Sequence, residues 1–148
     1  MNSYRQILYH IVFCTYYRRF TIPEAHQDSL YKYISGVISN RKSFLYEING
    51  VGNHIHILTE LNPTVALSDF IKEIKTSSNK WMKASGNYPD FTSWAVGSCS
   101  LTYAYRDKEM IANYIRNQKK HHSKISFENE YRSLLEEHGI EADERYIF

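Results

Sequence analysis

The run Val51-Gly52-Asn53-His54-Ile55-His56-Ile57-Leu58-Thr59-Glu60-Leu61 leaves the chain few ways to fold. It is apolar and β-branched, and it alternates with a period of two, which is the period of a strand. In a strand, His54, His56 and Leu58 share one face while Asn53, Ile55 and Ile57 share the other. The isoleucines can then line a core while two imidazoles face elsewhere. Neutral imidazole is the commonest metal-binding side chain, so a pair spaced i and i+2 suits two metal ligands. It equally suits polar decoration of a solvated sheet face, and the pair alone leaves both readings open.

The 148 residues are enough for one core and too few for two ordinary ones, so residues 1–148 read as a single domain. No window approaches a membrane-spanning apolar length and no charged-then-apolar leader opens the chain, from which a cytoplasmic protein with no membrane role is expected. Cys14 and Cys99 match no paired zinc spacing and read as two reduced thiols. The net charge of +2 hides an asymmetry. Residues 1–126 carry 16 Lys/Arg against 9 Asp/Glu, whereas residues 127–148 carry 2 against 7 and read as an acidic C-terminal tail. A basic body suits a polyanion, and 13 tyrosines offer stacking surface for unpaired bases, although both also fit solvated faces and core edges.

Along the chain, Tyr9 to Thr15 reads as a strand closing on the basic-aromatic turn Tyr16-Tyr17-Arg18-Arg19-Phe20. Pro23 suits the first turn of a helix running to about Asn40. Residues 43–50 read as a strand joined to the histidine strand in a hairpin, with Asn49-Gly50 and Gly52-Asn53 as turn signals. Leu67, Phe70, Ile71, Ile74, Ser78, Trp81 and Met82 fall on one arc of a helix ending near Ala84. A strand follows at about 99–105 and a helix at about Lys108 to His122. The order predicts an α+β fold: a ferredoxin-like or RRM-like β-α-β-β-α-β sandwich with an antiparallel sheet, plus a C-terminal helix and the acidic tail.

On that last helix Tyr114 and Gln118 are four residues apart and share a face, with His121 nearly in line. A tyrosine can attack phosphorus, and an amide oxygen one turn away can join two histidines around an ion. Such a pair is also ordinary edge packing. Lys72, Lys75, Lys80 and Lys83 on one helical face, with Arg18, Arg19, Lys119 and Lys120, are candidate phosphate contacts or a solvated face. Tyr16, Tyr17 and Trp94 are candidate stacking residues. His121 and His122 can be auxiliary ligands, phosphate contacts or complements to a helix dipole.

The His54-Ile55-His56 motif, the later Tyr114-Ile115-Arg116-Asn117-Gln118 and the opening Tyr9-His10-Ile11-Val12-Phe13 with Tyr17-Arg18-Arg19 resemble the single-tyrosine HUH transposases of the insertion-sequence 200/605 type. Gln118 to Phe127, His138-Gly139-Ile140 and Asp143-Glu144-Arg145-Tyr146 are similar to tails of that family. The loop Thr92 to Cys99 departs from it. The resemblance implies that His54 and His56 hold a divalent ion, Mg²⁺ or Mn²⁺, with Gln118 as third ligand, and that Tyr114 on the C-terminal helix is the nucleophile. It further implies a homodimer with active sites shared between subunits, acting on single-stranded DNA with hairpin ends through a 5′-phosphotyrosine and a released 3′-hydroxyl. Competing readings are a domesticated relative that cuts host repetitive palindromes, a non-catalytic RRM-like nucleic-acid module, and a metal-dependent phosphohydrolase in which Tyr114 is dispensable.

Overall fold

A computed structural model describes residues 3–143; residues 1–2 and 144–148, including the Glu144-Arg145-Tyr146 part of the tail motif, lie outside the described residues. The elements are β1 (Leu8–Cys14), α1 (Gln27–Asn40), β2 (Phe44–Val51), β3 (His54–Glu60), α2 (Leu67–Ser85), β4 (Cys99–Tyr103), α3 (Lys108–Arg116), α4 (Gln118–His121) and α5 (Phe127–Glu137). The strands form one antiparallel sheet in the order β2-β3-β1-β4, the ferredoxin-like arrangement expected from the element order.

The hairpin forms where the turn signals put it, with Val51 paired to His54 around Gly52-Asn53. Gly50 is required there, because a Cβ would overlap the carbonyl oxygen of His54. One irregularity between Leu45 and Glu47 resets the register of β2 against β3. Pro23 heads a single 3₁₀ turn, Glu24–His26, so α1 begins only at Gln27. Gly86 closes α2 at φ 76°, a left-handed cap that glycine adopts without steric penalty.

The two faces of β3 separate as its alternation demands. Ile55 and Ile57 join Ile11, Phe13, Leu30, Ile34, Phe70 and Ile74 in the core beneath α1 and α2. Trp94 belongs to this core too. Its ring meets Phe13 edge-on at 4.8 Å and its Nε1 donates to Ser78 Oγ at 2.9 Å, so it is a packing residue and not an exposed stacking platform. On the opposite face Leu58 packs with Leu8, Ile111, Ala112 and Ile115, and Val12 with Cys99, Leu101, Phe127, Leu134 and Leu135. Cys14 and Cys99 are free thiols.

That second layer corrects two expectations. The acidic segment from residue 127 is no loose tail in its described part: it forms α5, capped by Ser126 Oγ accepting from Asn129 N–H at 3.2 Å. Phe127, Tyr131, Leu134 and Leu135 give it an apolar stripe that docks on the sheet. The helix expected over 108–122 is broken at Asn117, whose φ/ψ of −97°/20° separates α3 from α4. Asn49 on β2 stabilises the break, its Nδ2 donating to the carbonyls of Ile115 (3.1 Å) and Arg116 (3.0 Å). No proline or glycine marks the place in the sequence.

Candidate active site and metal centre

His54 and His56 are fully buried, covered by the C-terminal helices and not displayed on an open sheet face. β3 is an interior strand with ladders on both sides, which fixes where its side chains project. Each ring is pinned through Nδ1. Asn53 Oδ1 lies 2.8 Å from His54 Nδ1, and because that oxygen only accepts, a neutral His54 with its hydrogen on Nδ1 donates to it. Asn53 Nδ2, donating to Arg18 O at 3.3 Å, fixes the orientation of the amide. His10 on β1 lies with Nε2 2.8 Å from His56 Nδ1.

Gln118 opens α4, is fully buried, and turns its amide oxygen to His54 Nε2 at 3.1 Å. Tyr114, one turn earlier on α3, is half-buried with its ring 5.7 Å from that of His56. The single chain therefore brings His54, His56, Tyr114 and Gln118 together in cis. The residue that joins them was not recognised in the sequence. Glu130 of α5, 2% exposed, accepts from the Tyr114 hydroxyl, from Gln118 Nε2 (2.9 Å), from His56 Nε2 (3.0 Å) and from His122 Nε2 (2.9 Å). His54 Nε2 lies 3.3 Å from the same carboxylate and His121 Nε2 3.4 Å from it. A signal for Glu130 did exist: it sits within the stripe formed by Phe127, Tyr131 and Leu134, where an acidic side chain has no business unless it meets a partner.

The electrostatics follow from burial. Desolvation on its own raises the Glu130 carboxyl, but hydrogen bonds from His122, His54 and His56 together outweigh it and hold the group well below the usual carboxylate range. Burial, and then the Glu130 charge, pushes the Tyr114 phenol up, so it stays protonated. Burial lowers His54 to about 4 despite the carboxylate, and it lowers His10 as well. Neutral His54 beside an ionised carboxylate is the state a cation can use.

Among the described residues, His54, His56, His122 and Glu130 offer ligand atoms all within 4.8 Å of one another. Three imidazole nitrogens and a carboxylate oxygen fit a first-row divalent ion, and nitrogen-rich sets favour Mn²⁺ and softer ions over Mg²⁺.

The basic residues divide between the two layers. Arg18 and Lys119 line a cleft of ≈ 630 Å³ that also reaches Asn53 and His122. Arg18 pairs there with Glu128 at 2.7 Å, and Arg19 lies over the rings of exposed Tyr16 and Tyr17. Tyr17 and Arg18 both have positive φ, 52° and 56°, a strained turn for residues with side chains. Lys120 is exposed near the site. Lys72, Lys80 and Lys83 are exposed on α2, in the layer on the other side of the sheet. Lys75 on the same helix is engaged, donating to the carbonyls of Ala95 (3.0 Å) and Gly97 (2.5 Å). Among the described residues no helix is long and apolar enough to cross a membrane.

Comparison with known proteins identifies the family. The sequence profile of the family described as "Transposase IS200 like" matches residues 3–118, which takes in His54, His56, Tyr114 and Gln118 and stops before His122 and Glu130. The ISDra2 transposase TnpA of Deinococcus radiodurans is 24% identical over 120 residues, 76% of this chain and 84% of the relative. Two solved structures share the fold at a TM-score of 0.63 each. One, a candidate transposase from Deinococcus radiodurans R1, is 22% identical and aligns with 80% of this chain and 95% of its own. The other, a REP-associated tyrosine transposase bound to a REP hairpin, is 16% identical over 84% of this chain and 76% of its own. With most of its length matched by the family profile, this chain belongs to the IS200-like transposase family, whose members cut DNA in the transposition of mobile elements.

Proposed function

We propose that this transposase cleaves and rejoins single-stranded DNA at hairpin-forming element ends through a 5′-phosphotyrosine on Tyr114, with a divalent cation held by His54, His56 and Gln118. The observation that carries the proposal is the convergence of the Tyr114 hydroxyl, two inward-facing imidazoles and the Gln118 amide on one buried point. His122 and Glu130 add two further donor atoms to it. A bound cation would polarise the scissile phosphate and neutralise charge developing on it.

The residues of the chain account for the rest. Tyr114 Oη forms a bond to phosphorus as the P–O3′ bond breaks, so the phenol loses a proton and the departing 3′-oxygen gains one. The phosphotyrosine conserves the energy of the broken phosphodiester, and a second 3′-hydroxyl can reverse the step. Before attack, the Tyr114 hydroxyl must exchange its hydrogen bond to Glu130 for contact with the phosphate. Positioning by α3 and α4 supplies much of the rate, because nucleophile and ligands are fixed by a buried network and not by a loop. Arg18, Arg19, Lys119 and Lys120 are proposed to receive the DNA backbone beside the site. Lys72, Lys80 and Lys83 would reach only DNA that extends around the sheet to α2. A non-catalytic RRM-like module is disfavoured, since the sheet face that would stack bases lies under α3, α4 and α5.

The test is a labelled pool of single-stranded hairpins drawn from DNA flanking the gene, incubated with the protein and Mn²⁺ or Mg²⁺ and run under denaturing conditions. A protein–DNA adduct that disappears in Tyr114→Phe is expected; cleavage without an adduct would instead point to a water nucleophile. A homodimer with shared sites is carried over from the resemblance. Mixing Tyr114→Phe with His54→Ala separates the arrangements, as recovery of the adduct requires sharing and no recovery means that each chain acts in cis.

A further inference from the structure

One buried histidine has no task in that scheme. His10 lies on β1, fully buried, with its ring nearly parallel to that of His56 and the two centroids 5.1 Å apart at 25°. Its Nε2 is 2.8 Å from His56 Nδ1. Its Nδ1 is buried with no hydrogen-bond partner among the described residues. An unpartnered buried polar atom is destabilising, a cost that a leucine at this position would avoid.

Two ring nitrogens at this separation share one hydrogen, and its owner decides what His56 can do. When His10 donates from Nε2, neutral His56 carries its other hydrogen on Nε2 and gives it to Glu130 at 3.0 Å; such a ring cannot ligate. When His56 donates from Nδ1 to His10, its Nε2 is a lone pair aimed at the donor cluster. At His54 the corresponding Nδ1 partner is the Asn53 carboxamide oxygen, which can only accept. His10 can present either a donor or an acceptor. Its orphan Nδ1 leaves it free to do so, since no neighbour there demands one tautomer.

We propose that His10 is a positioning residue of the metal centre: it accepts the Nδ1 hydrogen of His56 when a cation is bound, making that imidazole a ligand, and donates to it when the cation is absent. Both states hold two neutral rings. On loading, the Nε2 hydrogen of His56 departs as a proton, the shared hydrogen passes from His10 to His56, and His10 takes up a proton at Nδ1. The inference rests on the metal-centre reading above.

The experiment uses the full chain with Mn²⁺, counted by the paramagnetic resonance of the free ion, and with diamagnetic Zn²⁺ for ¹⁵N resonance of the imidazoles. His10→Phe, which cannot accept, is expected to weaken Mn²⁺ binding about 10–100-fold, the usual loss when a ligand's outer partner is removed. His10→Gln, whose amide oxygen accepts from Nδ1, is expected to recover most of it. In the wild-type chain a nitrogen–nitrogen coupling across the hydrogen bond should link the two rings, with the hydrogen on His56 only when Zn²⁺ is present. Unchanged Mn²⁺ affinity in His10→Phe overturns the positioning role alone. Failure of the wild-type chain to bind either ion overturns the metal reading and this inference with it. Should both variants fail to fold, absence of the coupling in the Zn²⁺-loaded wild-type chain overturns the role by itself.

Discussion

Glu130 concentrates more of the site's energetics than the residues that carry the family resemblance. Four hydrogen bonds end on one carboxylate that is 2% exposed. Removing it strands a phenol, an amide and two imidazoles together, so Glu130→Ala should lose about 3–5 kcal/mol in chemical denaturation of the metal-free chain. The histidines were legible because strand alternation is a local property of residues 53–58. Glu130 was not, because its partners lie up to 76 residues earlier in the chain and only the docking of α5 brings them within reach. Burial of His54 also sets an acid limit. Its folded value of about 4 lies below the ordinary 6.5, so between those values the unfolded chain binds the extra proton. Stability is therefore full above pH 6.5 and falls as pH drops toward 4, by up to roughly 1.4 kcal/mol per unit. Glu130, also depressed, adds loss of the same sign at the acid end. Denaturant melts of the chelator-treated protein at pH 7.5, 6 and 5 check the slope; a flat response would mean that His54 takes up its proton alike in the folded and unfolded chain.

At the level of elements, the hairpin, α2 and the order of strands and helices were readable because each rests on periodicity and turn chemistry within a short window. Pro23 misled by a turn: it opens a 3₁₀ segment and not the helix itself. The break between α3 and α4 was hidden for a different reason. Its stabilising contact comes from Asn49, 68 residues before Asn117, and the local sequence remains helix-compatible throughout. Asn49→Ala should cost about 1–3 kcal/mol by leaving two carbonyls without their donor. Because Tyr114 and Gln118 stand on opposite sides of the break, the variant should also reduce adduct formation more than an equally destabilising change in α1. Stability melts run beside the adduct assay separate the two effects. Glycine carries an analogous demand in β2: Gly50→Ala forces a methyl into the His54 carbonyl and should destabilise by about 2 kcal/mol or more, with loss of cation binding if His54 is the ligand proposed above.

Among the described residues the molecule is a sheet with a layer of α1 and α2 on one side and a layer of α3, α4 and α5, which carries the candidate site, on the other. Composition showed the basic excess but could not say which layer carries it. Lys119 lines the cleft beside the site, whereas Lys83 stands on the far layer. For a single-stranded hairpin probe, Lys119→Ala should reduce the slope of log affinity against log salt by about 0.7, while Lys83→Ala leaves it unchanged. Equal effects would mean that DNA wraps both faces. The strand order also has a kinetic meaning. β1 occupies an interior position, yet its neighbours β3 and β4 begin at His54 and Cys99. During synthesis the first strand must therefore wait with both edges unpaired until β3 is made, and with one edge open until β4 follows. Pairings this distant in sequence slow folding relative to local ones and leave strand edges exposed in the meantime. A newly made chain thus carries an open strand edge through its earliest moments, before the helix bearing Glu130 exists to dock on the sheet.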